Sequence, residues 1–171
     1  QLYGPNGSGK TCLLNLITGD HPQCYNNDIL VFGYQRGQGE SIWDIKQHIG
    51  YVSTALQWEY RVSISLLNVI VSGFYDSIGI YQKPSSSEKA VARQWLAVLG
   101  MESRANEPFN KLSFGDQRML LIARAMVKHP ALLILDEPCL GLDDMNRSQV
   151  LAMIEMVCAG TETTVLYVNH H

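Results

Sequence analysis

The chain has 171 residues, 46% of them hydrophobic and only 17% charged, enough for one compact domain with its own core and too apolar for a disordered segment. Thirteen Lys and Arg against sixteen Asp and Glu leave a formal net charge of -3. That balance supplies no broad basic field, so nucleic acid is not an expected partner.

No apolar run approaches the roughly 18 residues that cross a bilayer, so direct membrane insertion is not expected and any membrane link runs through a partner. Cys12, Cys24, Cys139 and Cys158 lie far apart without C-x-x-C spacing, which fits a reducing, cytoplasmic setting. The chain opens Gln1-Leu2-Tyr3 without Met and stops at His170-His171 just after a strand-like run. Both ends are therefore expected to be cuts through a larger protein.

In chain order, Gln1 to Tyr3 reads as the end of a strand, followed by a glycine-rich turn and a helix from about Lys10 to Ile17 closed by Gly19, a strand-loop-helix unit. Strands are expected at Ile29 to Phe32 and Ile49 to Val52, with a polar turn from Gln35 to Glu40 between them. The pair Gly37-x-Gly39 lacks a third glycine and a following helix, and reads as a plain loop. From Val62 to Phe109 the pattern is helical. Within it Ser85-x-x-Glu88 has capping-box spacing and precedes Val91, Trp95, Val98 and Leu99 on one face, with Trp95 as a core anchor and Gly100 as the stop.

Gln117 to Lys128 is apolar almost all round, as a buried helix should be, until His129-Pro130 ends it. Ala131 to Leu135 is the continuous apolar run of a central parallel strand. A helix from about Asp144 to Val157 and a strand from Thr163 to Val168 complete the alternation. The fold class is α/β with a mostly parallel central sheet.

Gly4-Pro5-Asn6-Gly7-Ser8-Gly9-Lys10-Thr11 matches G-x-x-x-x-G-K-[ST] between a strand and a helix, the context that gives this motif its meaning. Glycines let backbone N–H groups turn inward, the helix start adds its positive dipole end, Lys10 neutralises outer phosphates and the Thr11 hydroxyl can ligate Mg²⁺. Cys12, next on the helix, completes the expected nucleotide-binding set. Leu132 to Asp136-Glu137 is an apolar strand ending in carboxylates. Asp136 is expected to bind Mg²⁺ through water. Glu137 is expected to point the opposite way along the pleat, where it can orient or deprotonate an attacking water. Together these motifs describe a P-loop NTPase.

Leu112-Ser113-Phe114-Gly115-Asp116-Gln117, opening the buried helix ahead of Asp136, resembles the signature of the ATP-binding cassette (ABC) ATPases. Leu112, Ser113 and Gly115 match the usual L-S-G-G-Q, whereas Phe114 and Asp116 stand where glycine and glutamine are usual. The resemblance implies Mg-ATP as ligand and a second cassette as partner, whether in the same chain or as a homodimer. It also implies that Ser113 and Gly115 contact the γ-phosphate held by that second cassette. Gly141-Leu142-Asp143 resembles the D-loop, whose aspartate passes between cassettes, and Asn169-His170 resembles the switch whose histidine reads the γ-phosphate. Where the family has Pro-Gln after its strand, this chain has Ser53-Thr54 with Gln57 three positions later. Thr54 and Gln57 are the two candidates for the Mg²⁺-sensing position.

Gly19-Asp20-His21-Pro22, Asn27-Asp28, Phe32-Gly33, Ser41 to Lys46 and Ile49 to Ser53 are similar to one branch, the ModF group of paired cassettes associated with molybdate-transport genes. Resemblance to its C-terminal cassette implies a truncated ABC domain over 1–171, with a core at 1–61 and 111–171 and a helical subdomain at about 62–110. It further implies catalysis by Glu137 and His170, a membrane permease as partner and a peripheral place at the inner face of the cell membrane. The rival expectation is a cassette that binds nucleotide, hydrolyses it slowly and regulates or scaffolds a partner.

Overall fold

Two segments that stay apolar until their last residue, Ile49–Ser53 and Leu132–Asp136, lie side by side in the computed structural model, which describes residues 2–5, 7–25, 27–35, 39, 41–60 and 63–169. In chain order the elements are β1 (Leu2–Tyr3), α1 (Lys10–Thr18), β2 (Leu30–Val31), β3 (Tyr34–Gln35), α2 (Ile42–Lys46), β4 (Ile49–Ser53) and α3 (Thr54–Glu59). They continue as α4 (Leu66–Val71), α5 (Ser86–Val98), α6 (Phe114–Met126), β5 (Leu132–Asp136), α7 (Asp144–Gly160) and β6 (Thr164–Asn169). Short 3₁₀ turns occupy Pro22–Tyr25, Ser72–Tyr75, Glu102–Arg104 and Phe109–Lys111.

The main sheet has the order β1-β6-β5-β4, and every pairing in it is parallel. Pleat alternation divides its side chains between two layers. Ile49, Ile134 and Val168 face a smaller cluster with Leu14 of α1 and Ile45 of α2. Val52, Leu133 and Leu135 face a larger one built on α4, α6 and α7. Covered on both faces, the strands have no need of polar alternation, which is why they read as continuous apolar runs.

Three expectations change in detail. The strand expected at Ile29 to Phe32 is the shorter β2, which pairs only with β3 in a separate antiparallel hairpin. Phe32 and Gly33, with φ of 52° and 82°, make its tight turn. The polar turn expected from Gln35 begins inside β3, and Gly37 lies outside the described residues. On α5 the capping box is present: Ser85 Oγ accepts from the Glu88 amide at 3.1 Å and Glu88 Oε2 accepts from the Ser85 amide at 2.7 Å. The deepest line on that helix is Ala92 and Leu96, however, with Val91, Trp95 and Leu99 half-buried beside it and Val98 56% exposed. Trp95 flanks the core and Leu96 anchors it.

Helix α6 is buried as expected, yet two of its buried side chains are arginines, Arg118 and Arg124. Burying a charge is costly unless hydrogen bonds replace water. Arg124 Nε donates to Ser72 Oγ at 3.1 Å and Nη2 to the Ser77 carbonyl at 2.8 Å, with the guanidinium 5.3 Å from the Tyr60 ring centre. This network draws the Ser72–Tyr75 turn onto α6 so closely that a Cβ at Gly73 would lie 2.1 Å from the Arg124 carbonyl oxygen. Gly73→Ala is therefore expected to force the Ser72–Tyr75 turn away from α6 and cost about 1–3 kcal/mol of stability, as overpacking does. Urea denaturation of the two proteins measures it, and an unchanged midpoint would show that the turn yields freely.

Candidate functional site

Sheet register assembles one edge. Ser53 lies opposite Asp136, Asp136 opposite Val168, and Asn169 opposite Tyr3, so the chain leaves β1 for the glycine loop at the edge where β5 ends in its carboxylate. Ligands of open parallel sheets gather at such carboxyl ends.

Within the loop, Gly7 and Gly9 take φ of 81° and 89°, values that residues with a Cβ rarely adopt. Gly9 is the N-cap of α1, and the first helical hydrogen bond runs from the Leu13 amide to the Gly9 carbonyl at 2.9 Å. The amides ahead of it have no acceptor inside the helix and sit at its positive end. Thr11 and Cys12 are exposed there, while Lys10 is buried. Its ammonium donates to the Gly4 carbonyl, to the Pro5 carbonyl at 2.7 Å and to Ser8 Oγ at 3.1 Å. A phosphate oxygen could replace any of these acceptors. Asn6 and His170, both expected site residues, lie outside the described residues.

At the strand end Asp136 Oδ2 accepts from the Tyr51 hydroxyl at 3.3 Å. Burial, reinforced by the Asp136 charge, pushes the Tyr51 phenol up to about 12. Glu137 follows the end of β5 with a left-handed backbone, φ 51°, so the expected pleat alternation does not reach it. The Glu137 amide donates to the Val168 carbonyl at 3.0 Å, and its carbonyl accepts from the Leu140 amide at 3.1 Å and from Arg118 Nη1 at 3.0 Å.

Ser113 is the N-cap of α6, its Oγ accepting from the Asp116 amide at 3.1 Å. Phe114 carries its ring 5.9 Å from that of Trp58 and 5.5 Å from the Arg118 guanidinium. Gln117 Nε2 donates back to the Phe109 and Leu112 carbonyls at 3.2 and 3.4 Å. Gln57 is buried, and its amide group points to this helix: Nε2 donates to the Phe114 carbonyl and to Gln117 Oε1, each at 3.0 Å, while Oε1 accepts from Arg118 Nε at 2.7 Å. Thr54 Oγ1 lies 3.5 Å from Arg118 Nη2. Both candidates for the Mg²⁺-sensing position thus bond to α6.

Asp143 caps α7, its Oδ1 accepting from the Asn146 amide and its Oδ2 from Asn146 Nδ2, both at 2.8 Å. Those bonds hold its carboxyl below the usual range. Asn146, absent from the sequence reading, also packs on Gly115, where a Cβ would lie 2.2 Å from its Oδ1. A residue that couples two motifs by contact carries no local signal.

A Thr hydroxyl at the start of α1 and a carboxylate at the end of β5 are oxygen donors of the kind that suit a hard cation such as Mg²⁺, which completes its shell with phosphate and water. Among the described residues no cluster of three or more His, Cys, Asp or Glu could hold a metal alone. No helix among them is long and apolar enough to cross a membrane.

A family profile described as ABC transporter matches residues 1–140. The ABC transporter ATP-binding protein ModF of Escherichia coli (strain K12) is 55% identical across 100% of this chain, which covers 35% of that protein. YlmA of Bacillus subtilis (strain 168), an uncharacterized ABC transporter ATP-binding protein, is 37% identical across 99% of the chain and 64% of its own length. A solved structure described as an inward-facing conformation of a metal-chelate type ABC transporter superposes with a TM-score of 0.71 at 29% identity, over 99% of this chain and 62% of that one. The chain thus spans 35% and 64% of the two curated relatives.

The raised Tyr51 phenol has a testable sign. Its folded pKa of about 12 exceeds the unfolded value of 10.0, so the stability it contributes is complete below pH 10 and is lost as pH rises through 12. Tyr51→Phe is expected to reduce the fall in unfolding free energy over that window, leaving the share due to Tyr60, Tyr75 and Tyr167, whose phenols are also raised. Denaturant unfolding of both proteins between pH 9 and 12 reads the difference, and parallel curves would remove Tyr51 from the account.

Proposed function

The chain belongs to the ABC transporter family of ATP-binding proteins, and from that premise we propose that it binds Mg-ATP at the glycine loop and hydrolyses it when a second cassette closes over the nucleotide. The observation that carries this reading is the meeting of the loop, Lys10, Asp136 and Glu137 at one sheet edge.

Amides and Lys10 of the segment Gly4 to Cys12 would cradle the outer phosphates, Lys10 exchanging its loop acceptors for phosphate oxygens. Thr11 and Asp136 would hold Mg²⁺, which when bound supplies charge neutralisation across the phosphates. Glu137 would orient the attacking water and take its proton; His170 would contact the γ-phosphate. Leu112 to Gln117 would serve the nucleotide of the second cassette, in keeping with hydrogen bonds that run to α3 and the preceding turn. Asp143 would pass along the seam between cassettes. In this reading residues 1–61 and 111–171 form the nucleotide-binding core and about 62–110 the helical subdomain. Coupling to a membrane permease, with the cassettes peripheral at the inner face of the membrane, and a link to molybdate extend the proposal by kinship with the ModF group.

A second reading, a nucleotide-gated scaffold with slow hydrolysis, is favoured by one feature: the Gln57 amide is occupied by Arg118, Phe114 and Gln117. Steady-state ATPase measurement of the intact protein separates the two. For the hydrolytic reading, Glu137→Gln should retain Mg-ATP, hold the cassettes closed and slow turnover roughly a hundredfold or more, the usual scale of a lost general base. Lys10→Ala should instead weaken ATP binding itself. Wild-type turnover in Glu137→Gln would take Glu137 out of the chemistry.

A further inference from the structure

Arg118 is fully buried, and the hydrogen bonds it makes go to neutral oxygens. Nη1 bridges two successive carbonyls, Glu137 at 3.0 Å and Pro138 at 2.6 Å. With the Glu137 amide tied to Val168 at 3.0 Å, the peptide planes on both sides of Glu137 are fixed. A left-handed backbone at a non-glycine residue persists only where its surroundings hold it, and these three bonds hold it. Nε, at the other side of the same guanidinium, reaches Gln57, whose amide nitrogen grips the Phe114 carbonyl and Gln117 at the start of α6. One continuous path of hydrogen bonds therefore runs from the first turn of α6 to the backbone that aims the Glu137 carboxylate.

We propose that Arg118 is a positioning residue for hydrolysis, fixing the aim of Glu137 and coupling it through Gln57 to the start of α6. This rests on the ATPase reading above. When α6 shifts as its N-terminus meets the second cassette, the displacement reaches Glu137 through a planar fork that a flexible single donor could not replace. A guanidinium serves because it bridges two carbonyls while keeping a third direction for Gln57.

The test uses the full protein with Arg118→Met, Arg118→Lys and Gln57→Leu, measuring steady-state ATPase, affinity for a non-hydrolysable ATP analogue with Mg²⁺, and thermal unfolding. Arg118→Met is expected to lower kcat roughly ten- to a hundredfold, the scale on which small misplacements of a reacting group act. Its KM and analogue affinity should stay within about twofold, the split that marks a loss confined to the chemical step. Arg118→Lys should recover part of kcat, since an ammonium reaches one carbonyl but cannot span both sides. Gln57→Leu should lower kcat less than Arg118→Met, with analogue binding intact. If Arg118→Met does not fold, the Lys and Leu variants decide. Folded variants with wild-type kcat, or losses that track analogue affinity or folded fraction, overturn the inference and leave Arg118 a structural staple. An unsubstituted protein that binds nucleotide without turning it over overturns the ATPase reading itself, and the inference with it.

Discussion

Parallel pairing of β5 with β4 and β6, and of β6 with β1, is the constraint on which the rest depends. It aligns three strand ends at one edge, so that Asp136, Val168 and Ser53 share a level and the chain leaving Tyr3 begins its glycine loop beside them. A carboxylate and a glycine-rich turn that are far apart in sequence thereby come to one edge of the sheet. Parallel strands demand long crossovers, and the crossover from β4 to β5 is where the chain places α3, α4, α5 and α6. The site and the helical layer that addresses it follow from one topological choice.

That layer is held by an apolar core and, within it, by two buried charges. Helix α6 buries two guanidinium groups, Arg118 toward the turn after β5 and Arg124 toward the turn after α4, each bound to neutral oxygens and each over an aromatic ring. Desolvation lowers the Arg118 pKa without threatening its charge. Apolar replacements could fill the same volume, but they would leave the carbonyls of Glu137, Pro138 and Ser77 without these donors. The cost of burial is offset by directionality: these bonds fix which way a turn faces, a task that non-directional apolar packing cannot perform.

What could be read beforehand follows from the range of each interaction. The glycine loop, the apolar strands and the Ser85 capping box are local, so residue type and spacing disclosed them and the backbone bears them out. The face read for α5 is displaced by one residue: Trp95 packs half-buried against the core, while the turn of the helix points Ala92 and Leu96 inward. Gln57, Arg118 and Asn146 owe their significance to partners distant in sequence, such as Gln57 to Gln117 and Arg118 to Glu137. An arginine in a helix that otherwise looked buried was the available clue: a charge inside an apolar pattern implies a polar partner waiting in the fold.

Phe114 and Gly115 show how adjacent residues of one motif answer to different forces. Phe114 stands where its family has glycine, yet its ring rests against Trp58 and Arg118, a place with room for bulk. Gly115 has none, since any Cβ would enter Asn146, and Asn146 is itself held by the Asp143 cap of α7. A larger residue at 115 would push α7 and its cap away whether or not nucleotide were present. The small residue at 115 is thus fixed by packing within this chain, whereas the aromatic at 114 adds a contact between α3 and α6, the two helices joined beneath it by Gln57. At these two neighbouring positions the departure from the family pattern falls where the fold leaves room, and the match falls where it does not.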